Sequence, residues 1–345
     1  MIQAVLFERY DHVINYQGDK AFIRQLSDIN PEECLFDFEG RGNSSDEMKN
    51  NSEKIAEISW QIAPPLYEDY ERSFDIVKNN IMAGNSYLTN LTCKVPVSCN
   101  LSLEDIFHRA KGKYKLLLRR KRNLTPFVCF SPETFVRIKN GRIYSYPMKG
   151  TLDASLPDAE KQLMEDRKEA AEHATIVDLI RNDLSRVAEN VRVDKYRYID
   201  VLHTNKGDIL QTSSEISGRL PEDYQEHLGE ILDAQLPAGS ITGAPKDKTM
   251  QIIHEAEGYD RGFYTGIMGI YDQGELNSAV MIRFIEEETS PVDFEADGKK
   301  NFKASEGMGD EASRELYFKA GGGITSKSDC RKEYEEVIQK IYLPF

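Results

Sequence analysis

Two pairs of glutamates at helical spacing, Glu169/Glu172 and Glu333/Glu336, and one lysine in a turn-prone segment, Lys149, are the residues best placed to do chemistry. Each pair is spaced i,i+3, so its two carboxylates share one helix face. Should the two helices converge, four acids meet, and like charges held that close repel unless a cation lies among them or some are protonated. An all-carboxylate cluster suits Mg²⁺ and a substrate that itself carries a carboxylate. Lys149, in Pro147-Met148-Lys149-Gly150-Thr151, then reads as a reactive cation beside that site.

The elements that must position these groups follow from periodicity. Ala159 to Val187 reads as one long helix carrying Glu169 and Glu172, and Asp329 to Ile341 as a last helix carrying Glu333 and Glu336. A helical pattern from Tyr67 through Phe74, Val77 and Ile81 closes at Gly84-Asn85, a C-cap signal. Strands are expected at Cys34 to Phe38, Ser86–Val97, Phe127–Phe130, Thr134–Lys139 and Arg142–Tyr146, with Asn140-Gly141 as a hairpin turn. Pro147 to Thr151 is a turn-like break after the last of these. Two more strands, Gly266–Tyr271 and Ala279–Ile285, flank Gly274. Hairpins without regular strand–helix alternation imply an α+β fold, antiparallel sheets flanked by helices. Residues 1–66 form a short N-terminal segment and 67–345 the catalytic domain, with acidic 286–311 as a flexible insertion.

Bulk properties narrow the function. The chain has 345 residues and a net charge of −14, which argues against nucleic-acid or anionic-membrane partners. Its five cysteines include no CxxC, so neither a disulfide framework nor a zinc site is expected. The start, MIQAVLFERYDH, has no basic n-region, and no stretch approaches a membrane span, so a cytoplasmic protein is expected.

Further segments carry a bland reading, a functional one or both. Pro237 to Lys246 (PAGSITGAPK) is glycine-rich with a terminal lysine, but three residues separate Gly239 from Gly243 and Lys246 comes too late for a phosphate-binding loop. What remains is a tight turn, or small residues ahead of a helix N-terminus where an anion could sit. Ala320-Gly321-Gly322-Gly323-Ile324 permits close backbone approach, to a ligand carboxylate or to another strand. Asp178 to Asp183 reads as a structural ion-pair network, and His173 either joins a metal site or is a structural histidine. Arg283 ends an apolar strand, and a buried arginine wants a carboxylate, which a substrate supplies in bidentate fashion.

Taken in order, these segments resemble the chorismate-utilising enzymes, which include anthranilate synthase component I, aminodeoxychorismate synthase component I, and the isochorismate and salicylate synthases. The matching stretches are Ser131-Pro132-Glu133, PMKGT at 147–151, KEAAEH at 168–173, DLIRNDLSRV at 178–187, PAGSITGAPK, YTGIMGIYD at 264–272, AGGGI at 320–324 and the final E-x-x-E. Together they run from about Tyr67 to the C-terminus. The lysine is the discriminating residue: the resemblance implies an aminodeoxychorismate synthase, because the other synthases typically place alanine where this chain has Lys149.

In such an enzyme the lysine amine attacks C2 of chorismate and displaces the C4 hydroxyl, after which ammonia adds at C4 and expels the lysine. A lysine taken out of water has a lowered pKa and acts as a neutral nucleophile, and covalent catalysis splits one hard step into two. By the same resemblance Glu133 is the general acid, Glu172 and Glu336 are direct Mg²⁺ ligands, and Glu169 and Glu333 assist through waters. Tyr264, Arg283 and the amides around Gly321 and Gly323 grip the enolpyruvyl carboxylate. Lys340 lies near a substrate carboxylate, and Thr151 and Thr242 offer hydroxyls. Ammonia is expected from a separate glutamine amidotransferase subunit.

Three departures bear on this reading. Leu88 stands where isochorismate and salicylate synthases carry a base lysine, so water activation is not supported. Gln211 stands where many members have a histidine linked to pyruvate elimination, which favours retaining the pyruvyl group. No LLES-type segment is present, so feedback by tryptophan is not expected. The rival readings are anthranilate synthase component I and a non-catalytic chorismate-binding paralogue.

Overall fold

The computed structural model describes residues 34–39, 41–42, 58–119, 125–204, 207–272, 274–289 and 314–345. The architecture is α+β, with two antiparallel sheets. In chain order the strands are β1 (Cys34–Phe38), β2 (Arg41–Gly42), β3 (Trp60–Ile62), β4 (Leu88–Cys99), β5 (Tyr114–Leu118), β6 (Phe127–Ser131), β7 (Thr134–Lys139) and β8 (Arg142–Ser145). They continue as β9 (Met148–Asp153), β10 (Glu189–Thr204), β11 (Gly207–Arg219), β12 (Gly243–Ala244), β13 (Ile267–Asp272), β14 (Glu275–Val280), β15 (Phe284–Thr289) and β16 (Arg314–Ile324). The helices are α1 (Tyr67–Met82), α2 (Leu103–Arg109), α3 (Ala159–Glu165), α4 (Arg167–Leu184), α5 (Leu228–Gln235), α6 (Gly239–Thr242), α7 (Lys246–Glu257) and α8 (Cys330–Gln339).

The larger sheet runs β12-β4-β16-β15-β6-β5-β1-β2, with β3 also on β4; the smaller runs β10-β11-β8-β7-β14-β13, with β9 also on β11. The chain changes sheet twice near the site. Between β6 and β7 lie Pro132, which has no N–H to donate to a ladder, and Glu133. Between β14 and β15 lies the corner Met281 to Arg283, where Arg283 has a left-handed φ of +58°. The expected strand Ala279–Ile285 is therefore two strands in different sheets, and Arg283 sits at their junction.

One core cluster packs α1 through Tyr70, Phe74, Val77 and Ile81 against Leu91, Val95 and Phe318 of the larger sheet. A second lies under the smaller sheet around Ile143, Ile216 and Leu228. A third draws on both sheets, with Tyr114 and Phe127 from one, Met268 and Ala279 from the other, and Tyr264 beside them. It fixes the sheets against one another next to the site.

Three further expectations change. The helix expected over Ala159 to Val187 is two helices broken at Asp166, whose carboxylate accepts the Glu169 N–H at 2.9 Å. The Pro147 to Thr151 segment is mostly strand: Met148 to Thr151 lie in β9, hydrogen-bonded to β11. The expected insertion does not begin at Glu286: Glu286 to Thr289 continue β15, paired with Arg314 to Tyr317. The rest of 286–311, and residues 1–33, lie outside the described residues. β10, the part of β11 before Ser213, and β16 were not expected. The Asn140-Gly141 turn has positive φ at both residues, as a two-residue hairpin of this sequence requires.

Candidate functional site

The site is built where β9 of the smaller sheet meets β16 of the larger. In β9, Lys149 pairs with Thr212 and Thr151 with Gln211, leaving Gly150 unpaired as a bulge. Gly150 has φ +76°, and a Cβ there would lie 3.0 Å from Glu169 Oε2 and 3.2 Å from Leu163 Cδ1. The bulge re-aims the half-buried Lys149, whose backbone carbonyl accepts the Thr212 hydroxyl. Gly150→Ala is expected to cost about 1–3 kcal/mol through left-handed strain and crowding. A thermal melt checks this, and an unchanged Tm would count against the bulge.

Lys149 Nζ reaches 3.8 Å from the point where a Cβ would sit on Gly323, and Leu88 Cδ1 lies 3.0 Å from the same point. Leu88 thus packs apolar surface on the rim of the strand that the amine faces. Thr151 is exposed within β9, and Thr242 is buried at the end of α6. Gly321, Gly322 and Gly323 pair with Thr92, Leu91 and Asn90 of β4. A side chain on Gly321 would collide with the Leu91 carbonyl at 2.6 Å, so close approach to a strand is one reason for the glycines. Access is another: Glu333 Oε2 and Lys340 Nζ stand 3.5 and 3.7 Å from the position of a Gly322 Cβ. Lys340 donates to the Gly321 carbonyl at 3.0 Å and pairs with Glu336 at 2.8 Å.

Glu133 occupies the β6–β7 link, held by its N–H to Ser131 Oγ at 3.1 Å and by its carbonyl, which accepts the Val280 N–H at 3.1 Å. The Ser240 hydroxyl donates to its Oε1. Burial pushes the Glu133 carboxyl above the usual carboxylate range, and the Ser240 hydrogen bond and the Lys149 cation only partly offset this. A carboxyl with a raised pKa beside a lysine is better suited to general acid catalysis than an ordinary one.

Tyr264 is 4% exposed, and burial keeps its phenol protonated. Arg283 donates to the Lys340 carbonyl at 3.4 Å and stacks on Tyr342 at 4.9 Å. These contacts bring Arg283 and Lys340 to one end of β16.

One glutamate of each pair borders a strand of the site, Glu169 beside β9 and Glu333 beside β16. Among the described residues no three His, Cys, Asp or Glu side chains are gathered tightly enough to hold a metal ion. The donor set is nonetheless all carboxylate, the chemistry a hard cation takes. His173 is fully buried, and its Nε2 lies 2.6 Å from Ser214 Oγ. Burial, then the cations Arg197 and Lys149, pull its pKa down to about 4, so it is neutral at pH 7. Its Nε2 is committed to Ser214, and no metal-sized cluster forms around it among the described residues.

In the PAGSITGAPK segment, Lys246 pairs with Asp183 at 2.9 Å and donates to the Gln235 carbonyl at 2.8 Å. Its charge is committed to α4, and α6 is a single turn of four residues. The segment's contribution to the site is Ser240, which motif reading did not single out. The signal was a hydroxyl ahead of Thr242, but nothing in the spacing pairs it with Glu133.

No helix among the described residues is long and apolar enough to cross a membrane. The family model for chorismate binding enzymes matches residues 3–298, a range that ends ahead of β16 and α8. The chain is 46% identical over 332 residues to a PabA-like protein of Haemophilus influenzae, covering 96% of this chain and 91% of that one. It is 30% identical over 292 residues to aminodeoxychorismate synthase component 1 of Salmonella typhimurium, covering 79% of this chain and 56% of that one. Among solved structures, anthranilate synthase component I from Streptococcus pneumoniae aligns with a TM-score of 0.63 and 25% identity, over 83% of this chain and 59% of that one. This chain thus spans little more than half the length of those last two proteins.

Proposed function

The chain belongs to the chorismate-binding enzyme family, and within it we propose that this protein is the synthase component of a 4-amino-4-deoxychorismate synthase. It would act in p-aminobenzoate and folate biosynthesis, with ammonia supplied by a glutamine amidotransferase subunit. The observation that carries the reading is Lys149: its amine faces the glycine strand at Gly323 and lies within electrostatic reach of Glu133, whose carboxyl is raised above the usual range.

In this reading the Lys149 amine attacks C2 of chorismate through its nitrogen lone pair. The ring double bonds shift, and the C4 hydroxyl leaves as water with a proton from Glu133. Ammonia then forms its bond to C4, the double bonds shift back, the C2–lysine bond breaks, and Glu133 recovers a proton from the incoming nitrogen. Ser240, donating to Glu133 Oε1, leaves Oε2 to carry the proton. Tyr264, Arg283 and the backbone around Gly321 and Gly323 would hold the enolpyruvyl carboxylate, with Lys340, Thr151 and Thr242 as further polar contacts. Mg²⁺ would be held by Glu172 and Glu336, with Glu169 and Glu333 assisting, and when bound would neutralise the ring carboxylate.

The test is mass analysis of the product formed from chorismate, Mg²⁺ and an ammonium salt at mildly alkaline pH, with pyruvate assayed in parallel. An aminated product that keeps its enolpyruvyl group, with no pyruvate, is expected. Anthranilate with stoichiometric pyruvate would overturn the reading in favour of an anthranilate synthase.

A further inference from the structure

Beneath the proposed substrate contacts lies a charged cluster that the mechanism does not use. Arg261, with 15% of its side chain exposed, and Glu257, with 1%, form a two-pronged pair. Nε donates to Glu257 Oε2 at 2.8 Å and Nη2 to Oε1 at 2.5 Å. The other guanidinium hydrogens go to the Ile241 carbonyl at 3.0 Å, the Asn90 carbonyl at 2.8 Å and the Thr265 hydroxyl at 3.4 Å. A guanidinium has five N–H donors, and these contacts occupy all of them. Arg261 therefore holds protein rather than ligand.

The segments it ties together are the ones that carry the site. Ile241 lies between Ser240, the partner of Glu133, and Thr242. Asn90 pairs with Gly323, beside which Lys149 Nζ sits. Thr265 follows Tyr264 in a left-handed conformation, φ +66°. The Arg261 carbonyl is a second junction, accepting the Tyr264 N–H at 3.1 Å and Lys319 Nζ at 2.9 Å. Lys319 is itself 2% exposed and paired with Glu286 at 2.8 Å. Glu257 Oε1 also accepts the N–H and hydroxyl of Thr92, the register partner of Gly321.

We propose that Arg261, clamped by Glu257, is a positioning residue that sets the distance between the Tyr264–glycine-strand grip on substrate and the acid at Glu133. The inference rests on the reading of those groups as substrate-facing. A fork with five fixed donors suits this task where lysine, with three donors on a flexible stem, does not. Misplacing a bound substrate by about 1 Å costs on the order of 10²-fold in rate.

The test compares wild type, Glu257→Gln and Arg261→Lys for chorismate affinity by equilibrium dialysis with Mg²⁺ and for steady-state amination. Both variants are expected to keep the wild-type circular dichroism spectrum while kcat/KM for chorismate falls about 10–100-fold. The loss should fall on chorismate KM and affinity, with the KM for ammonia unchanged. Arg261→Ala should regain part of its activity with added guanidinium ion. If Arg261→Lys fails to fold, Glu257→Gln, which keeps the side chain's shape, still decides. Variants with wild-type chorismate affinity and kcat/KM, changed only in Tm, would overturn the assignment. A wild-type protein that fails to bind chorismate would remove the substrate reading itself, and this assignment with it.

Discussion

Lys149→Ala is expected to lower amination of chorismate by about 10³-fold or more, the scale on which loss of a covalent nucleophile is felt, while chorismate affinity changes little. Intact-protein mass spectrometry of wild type with chorismate but no ammonia should show an adduct of the mass of chorismate less water, and the variant should show none. The expectation rests on placement: a bulge at Gly150 turns the lysine toward Gly323, and no other lysine is placed against both the glycine strand and Glu133 among the described residues. The variant carries a second signature. The Lys149 cation partly offsets the burial that raises the Glu133 carboxyl, so its removal moves that carboxyl further up. The alkaline limb of any residual activity should shift to higher pH. Near-wild-type turnover by Lys149→Ala would mean that ammonia attacks directly and that the lysine serves only as a charge.

Local motifs made much of this legible in the sequence, and what failed was pairing between distant segments. Asn140-Gly141 specified its hairpin because both residues tolerate positive φ. The Tyr67 helix announced itself through Phe74, Val77 and Ile81, buried positions at helical spacing. By contrast, the β10–β11 hairpin breaks register between Glu189 and Arg192, Val193 and Lys195, and Lys195 and Tyr198. Each bulge resets the alternation that would have revealed a strand. The acidic run from Glu286 looked like solvated loop because sequence cannot show that Glu286 meets Lys319 and Lys94 across the sheet, at 2.8 and 3.5 Å.

The same holds at the site. The lysine, the buried acid and the glycine strand were recoverable from motifs. The Ser240–Glu133 contact joins residues 107 positions apart, and the Arg261 fork, locally paired with Glu257, reaches Asn90 across 171. A one-dimensional pattern carries no record of either. The glutamate pairs are intermediate: spacing put each on one helix face, but only the fold shows Glu169 against β9 and Glu333 against β16.

Glu133→Gln should lower turnover by about 10²–10⁴-fold, the usual contribution of a positioned general acid, and should do so without weakening the fold. The sign of the second effect follows from proton binding. Burial raises the folded-state pKa of Glu133 above its unfolded value, so between the two values the folded state holds more protons. Stability then falls as pH rises through that window. A neutral glutamine is free of this cost, and its Tm at neutral pH should equal or exceed that of wild type. Activity runs in the same direction: the acid must be protonated to release the C4 hydroxyl, so the wild-type rate should fall as pH climbs through the raised Glu133 pKa, and that limb should vanish in the variant. A variant that loses both activity and Tm would point to the Glu133 carboxylate as a structural brace to Ser240. One that keeps wild-type activity would place the proton donor elsewhere, with the Ser240 contact then serving only to join α6 to the β6–β7 link.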